Sequence, residues 1–188
     1  MPEPIGTAKV GLVQKRAGYD LSKNDFTDAY KNLLDGYFVP VITPNSAAIV
    51  DTHGTTASIV ADMQVEHGGV YYTVTEAAHT PGIEVLIKFI GVVDFNHLRV
   101  KGSYVANTST HAVAIQLWDF INSAWLTKHT MSAMVFSGVV GSEVIGCYES
   151  RIESHAKFIS GGEVWLRIIH PMGGNASHTL YIDYCSIY

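Results

Sequence analysis

The sequence predicts an all-β protein, a jelly-roll β-sandwich of antiparallel strands that follows an N-terminal extended arm and one short helix. Three observations point there. Beyond Gly36 the chain runs through about ten short segments rich in Val, Ile, Tyr, Phe and Thr, separated by Gly, Asn, Ser and Pro, which is strand and turn chemistry. No helical pattern alternates with those segments, which excludes parallel βαβ architectures, and no self-similarity at a period of about 20–50 residues points to a solenoid or propeller. Apolar residues make up 47% of the chain and charged ones 15%, so there is enough apolar surface to bury in the core that two stacked sheets require.

In chain order, residues 1–40 form the arm and helix and residues 41–188 the sandwich. Met1 to Asp20 holds two prolines and three glycines among mixed polar residues and cannot build its own core. Ser22 is an N-cap, with Asp25 three residues on. Phe26, Ala29, Tyr30, Leu33 and Leu34 follow at helical spacing before Gly36 stops the run, predicting a helix over 22–36. The strands are expected near 37–42, 55–61, 69–76, 84–92, 97–104, 111–118, 125–131, 143–149, 163–170 and 178–187. Val85-Leu86-Ile87-Lys88-Phe89-Ile90 is apolar on both faces, the mark of a strand whose second face is covered by the arm, the helix or another subunit, so a homo-oligomer is expected. On strand 163–170, those of Trp165, Leu166 and Ile168 that lie on the inward face are expected to be largely buried.

Charge and motifs narrow the function. A formal net charge of −5 with no Lys/Arg cluster removes the electrostatic basis of nucleic-acid binding. No run of 18 apolar residues and no secretory leader appears, so neither membrane insertion nor processing is expected. Phosphate-binding loops, nucleophile elbows and His-Glu-x-x-His helices are absent, and the reading is non-catalytic, with no catalytic residue assigned. Cys147 and Cys185 share no metal spacing and read as buried thiols, with a disulfide as the alternative. His170 and His178 bracket the turn before the last strand and are expected to face each other. Two imidazoles near Asp183 make part of a transition-metal site only with a third ligand that the sequence does not nominate, so they read as hydrogen-bonding to backbone and fixing the loop, and no metal is assigned.

Aromatic residues give the binding candidates. A four-residue loop from Phe120 to Ser123 makes Trp118 and Trp125 directly opposed cross-strand neighbours, suited either to stack on a sugar ring or to brace the hairpin. Tyr104 joins them as a glycan-binding candidate, with Tyr71 and Tyr72 weaker on the same logic.

The segments Phe89-Ile90-Gly91-Val92, His111 to Trp118 and His178 to Tyr184 resemble the galactose-binding-like jelly roll, a superfamily that includes many carbohydrate-binding modules. With Gly174-Asn175 before the final strand, the combination is similar to domains of bacteriophage structural proteins. The likeness spans Glu84 to Tyr188. It implies a phage virion structural protein, a capsid decoration or tail-associated subunit made in the host cytoplasm, that assembles with other virion proteins through its arm and sandwich surface. The alternative it implies is a carbohydrate-binding module for a cell-surface or environmental glycan. In related modules the residue at Asp183 helps hold a structural calcium with acids of the first strand. Asp51 and Asp62 form no paired acidic motif here, and calcium takes six to eight oxygens, so no cofactor is expected.

Overall fold

A computed structural model describes residues 42–43, 49–54, 56, 58–66, 70–108, 110–135 and 146–188, all within the compact unit Pro40–Tyr188. The expected arm and helix, and nearly all of the expected strand at 37–42, lie outside the described residues. Ile42 is described, and it exchanges two backbone hydrogen bonds with Ile187.

The chain folds as a jelly-roll β-sandwich. In chain order the strands are β1 Ile49–His53, β2 Tyr72–Thr75, β3 Ile83–Ile90, β4 His97–Ala106, β5 Ala112–Asp119, β6 Ala124–Ser132, β7 Met134–Val135, β8 Gly146–Arg151, β9 Glu163–His170 and β10 Thr179–Ile187. One sheet has the order β1-β3-β9-β5-β6, all antiparallel. The other has β2-β10-β4, and beyond β4 the antiparallel β8 covers His97–Gly102 while the two-residue β7 runs parallel beside Val105 and Ala106.

Alternation builds the core. Ile83, Val85, Ile87 and Phe89 project inward from β3 and are fully buried, as are Val113, Ile115 and Leu117 of β5 and Val164, Leu166 and Ile168 of β9. They pack against Leu98, Val100 and Tyr104 of β4 and Leu180, Ile182 and Ile187 of β10. Trp165, grouped with Leu166 and Ile168 in the sequence reading, lies at the opposite parity and points away from the core, only partly buried. The second face of β3 carries half-buried Leu86 and Lys88 and ends in Ile90, which is 45% exposed.

Two local features depart from the expected strands. Of the strand expected over 55–61, residues 56 and 58–61 are described and lead into a 3-10 turn at Val60–Met63, while a strand lies earlier, at Ile49–His53. Asp62 causes the change, because its carboxylate accepts the Ile59 amide at 2.9 Å while its own amide closes onto the Ile59 carbonyl, satisfying backbone groups that a strand would pair. Bulges interrupt the alternation in β6, where Lys128 is skipped, and in β10, where Asp183 is skipped. The β6 bulge restores Met131 to the core after Leu126.

Candidate functional site

The outer face of the sheet β1-β3-β9-β5-β6 gathers the side chains that the buried alternation leaves on the other side. Trp118 and Trp125 are paired across β5 and β6, as the four-residue loop requires, with ring centroids 5.2 Å apart at 62°. On the next strand, Trp165 lies stacked beside Trp118 at 6.4 Å and 27°, and Phe120 meets its edge at 5.3 Å. The Lys88 ammonium on β3 sits 4.5 Å from the Trp165 ring centre. The result is an aromatic row, Trp125-Trp118-Trp165-Lys88, that crosses four strands, about 14 Å at the usual inter-strand spacing. Both predicted tryptophans are half-buried: each rests on its neighbours without being enclosed.

A polar row runs beside it. Thr127 Oγ1 accepts from Gln116 Nε2 at 3.0 Å. Gln116 Oε1 accepts twice from Arg167, at 2.9 Å from Nε and 2.7 Å from Nη2. Arg167 Nη1 donates to Glu84 Oε1 at 3.1 Å, and His53 Nδ1 lies 3.4 Å from the other Glu84 oxygen. This chain of contacts crosses all five strands. The Arg167 guanidinium joins the two rows, lying 4.4 Å over the Trp125 ring. Glu163 anchors the far end by accepting the Trp165 indole N–H at 2.7 Å with Lys88 Nζ 3.7 Å away. Among the described residues, Lys88, Arg167, Glu84 and Glu163 on this face each have a partner of opposite sign, so the row is polar, nearly neutral and held in one geometry.

The hairpin that presents Trp118 and Trp125 is fixed from below by Asp119. Its carboxylate accepts the Ile121 and Asn122 amides at 3.0 Å, the Asn122 side chain at 2.9 Å, and lies 3.1 Å from Lys157 Nζ. The Asn122 backbone bond is the first cause, and with Lys157 it pushes the Asp119 pKa down to about 2 against the cost of burial.

Tyr104 does not join this face. It is fully buried on β4 of the opposite sheet, its hydroxyl donating to Glu76 at 2.6 Å, so assigning it to a glycan site is corrected: β4 parity turns it into the core. Tyr72 is likewise buried, and Tyr71 packs against Tyr181 at 6.2 Å in the other sheet. His170 and His178 do meet, through Glu76 rather than beside Asp183. Asp183 instead holds Lys101 Nζ at 3.1 Å, and Glu66 approaches the same ammonium at 3.3 Å, so a lysine supplies the positive charge at that carboxylate. Among the described residues no three His, Cys, Asp or Glu side chains are arranged to hold a metal ion. Cys185 is buried as expected, whereas Cys147 is exposed on β8.

Sequence reasoning missed Trp165, Arg167 and Gln116. The signal was present: with Val164, Leu166 and Ile168 facing inward, the intervening Glu163, Trp165 and Arg167 must share the outer face.

No family model and no curated relative matches the chain. Among solved structures it is similar to a xylan-binding module of family CBM15, at 13% identity and TM-score 0.47 over 79% of this chain and 95% of that one. It is also similar to a CBM35 module from Paenibacillus barcinonensis, at 15% identity and TM-score 0.44 over 79% and 96%. A Ruminococcus gnavus GH29 fucosidase matches at 9% identity and TM-score 0.45 over 85% of this chain and 28% of the enzyme. Ligands and residue roles do not transfer across likenesses of this degree.

Proposed function

We propose that this domain binds a glycan without transforming it, on the outer face of the sheet β1-β3-β9-β5-β6. One observation carries the reading: an aromatic row and a fixed polar row lie side by side across the strands. A sugar ring offers an apolar face of C–H groups and an equatorial rim of hydroxyls, and it is matched by an indole ledge flanked by hydrogen-bonding groups already held in place. The tryptophans are half-buried, so stacking and bracing coexist: each ring supports its neighbour and keeps part of its surface for a ligand. Near-neutrality of the face favours a neutral polyol chain over a strongly charged one. The particle-assembly reading invokes the sandwich surface together with the 1–40 segment, which lies outside the described residues.

A glycan array on the native protein, followed by calorimetry with the oligosaccharide that scores, tests the proposal. Trp165→Ala and Arg167→Ala should each weaken binding about tenfold or more, the equivalent of about 1.4 kcal/mol, while the proteins stay folded by circular dichroism. Binding unaffected by both variants, or no hit from a broad array, overturns it.

A further inference from the structure

We propose that Glu76, His170, His178 and His111 form an acid-operated latch that holds the β9–β10 connection, residues 171–178, against the β2–β3 connection, residues 76–82, and releases it at mildly acidic pH.

The latch is built around one buried carboxylate. Glu76 has no exposed side-chain surface, and its Oε2 accepts the Asn175 amide at 2.8 Å and lies 3.0 Å from His178 Nδ1. Its Oε1 accepts the Tyr104 hydroxyl at 2.6 Å and lies 2.7 Å from His170 Nδ1, a close charge contact that is not aligned as a hydrogen bond. His111, just before β5, closes the group, its ring 5.3 Å from His170 and 4.8 Å from His178. Four elements therefore converge on Glu76, its own connection, β4 through Tyr104, β9 through His170 and the entry to β10 through His178, and the approach to β5 joins them through the His111 ring. His79 closes the rim, its carbonyl accepting the Gly174 amide at 3.1 Å and its ring meeting His53 at 5.1 Å.

The two connections touch so closely that a methyl group at Gly174 would lie 2.0 Å from the Ala77 carbonyl oxygen. Backbone bonds join them from Gly174 to the His79 carbonyl and from Gly82 to the Met172 carbonyl, and Glu76 adds the buried side-chain link, since it binds Asn175 of one while belonging to the other. The freed segment also forms one wall of a pocket of about 380 Å³ bounded by His111, His170, Pro171 and Met172.

Charge counting gives the direction. Among the described residues Glu76 is the carboxylate in contact with His170 and His178, one negative charge facing two rings. Positive charge gathered on rings at these separations, beside a single carboxylate, is mutually repulsive. His170 feels this already: burial first, then His111 and His178, hold its pKa below the usual imidazole range despite Glu76. A depressed histidine stabilises the closed form fully above its unfolded pKa, and that contribution is lost as pH falls toward the folded value. The closed connection is therefore the neutral-pH state, and acid opens it locally.

Amide hydrogen exchange at about pH 7.5 and about pH 5, corrected for intrinsic rates, tests the latch on the whole chain. Protection at Gly174 and Asn175 should fall about tenfold or more at the lower pH while the β9 amides of Leu166 and Ile168 keep theirs. His111→Gln, a half-buried position whose change the fold should tolerate, should move the opening to lower pH, and Glu76→Gln should leave the segment open at both. Equal corrected protection of Gly174 and Asn175 at the two pH values, or an opening that His111→Gln leaves in place, overturns the proposal.

Discussion

Asp119 illustrates how one side chain positions a surface. It is fully buried at the end of β5, yet its four contacts, two amides, one carboxamide and one ammonium, make the ionised form the favoured one. Its pKa lies below that of an unfolded aspartate, so its stabilisation is complete above the ordinary carboxylate range and disappears as pH falls through about 2. Asp119→Asn keeps the shape but not the charge, and the variant should lose the fall in thermal midpoint that the native protein shows between about pH 4 and about pH 2 from this group. A native melting curve as flat as the variant's across that range would mean that Asp119 is not held ionised. Because the 120–123 turn hangs on the same carboxylate, Asp119→Ala should also loosen Trp118 against Trp125, seen as a shift in tryptophan fluorescence. The pairing of those two indoles was legible from the loop length; the anchor beneath them was not, since Lys157 is brought to Asp119 from a distant part of the chain.

At the scale of one element, β9 separates the work of the two faces. Leu166 is fully buried between the sheets, and Leu166→Ala should cost about 2–5 kcal/mol in urea unfolding through lost burial and the cavity left behind. Trp165 is larger but half-buried on the outer face, so Trp165→Ala should cost less, about 1–2 kcal/mol, while it weakens glycan binding. The reverse order would mean that the strand presents its other face. Alternation makes such statements readable from sequence wherever a strand is regular. It fails at β6 and β10, where one skipped residue in each shifts the parity of everything beyond it. It also fails at residues 58–61, where branched residues suggest a strand but the Asp62 side chain takes the Ile59 amide that pairing would need.

The whole molecule can be followed through its two thiols. Cys147 is exposed on β8, where the Arg99 Nε lies 3.4 Å from its sulfur, whereas Cys185 is fully buried in β10 and burial pushes its pKa up. An aromatic disulfide reagent should therefore titrate one thiol per native chain, and the second should react only on denaturation, at the rate of global opening. Two rapid equivalents would contradict the placement of β10 at the centre of its sheet. The sequence by itself determined the class of fold, most of the strands, the tight hairpin with its opposed tryptophans and the lack of any local catalytic motif, because period, propensity and turn chemistry act over a few neighbouring residues. Tertiary structure alone decided that Thr127, Gln116, Arg167, Glu84 and His53 form one row, that Tyr104 turns inward, and that Glu76 gathers histidines from two separate segments. Such contacts join residues tens of positions apart, and which strands lie side by side is set by how two sheets bury one shared core, a choice no local window of sequence contains.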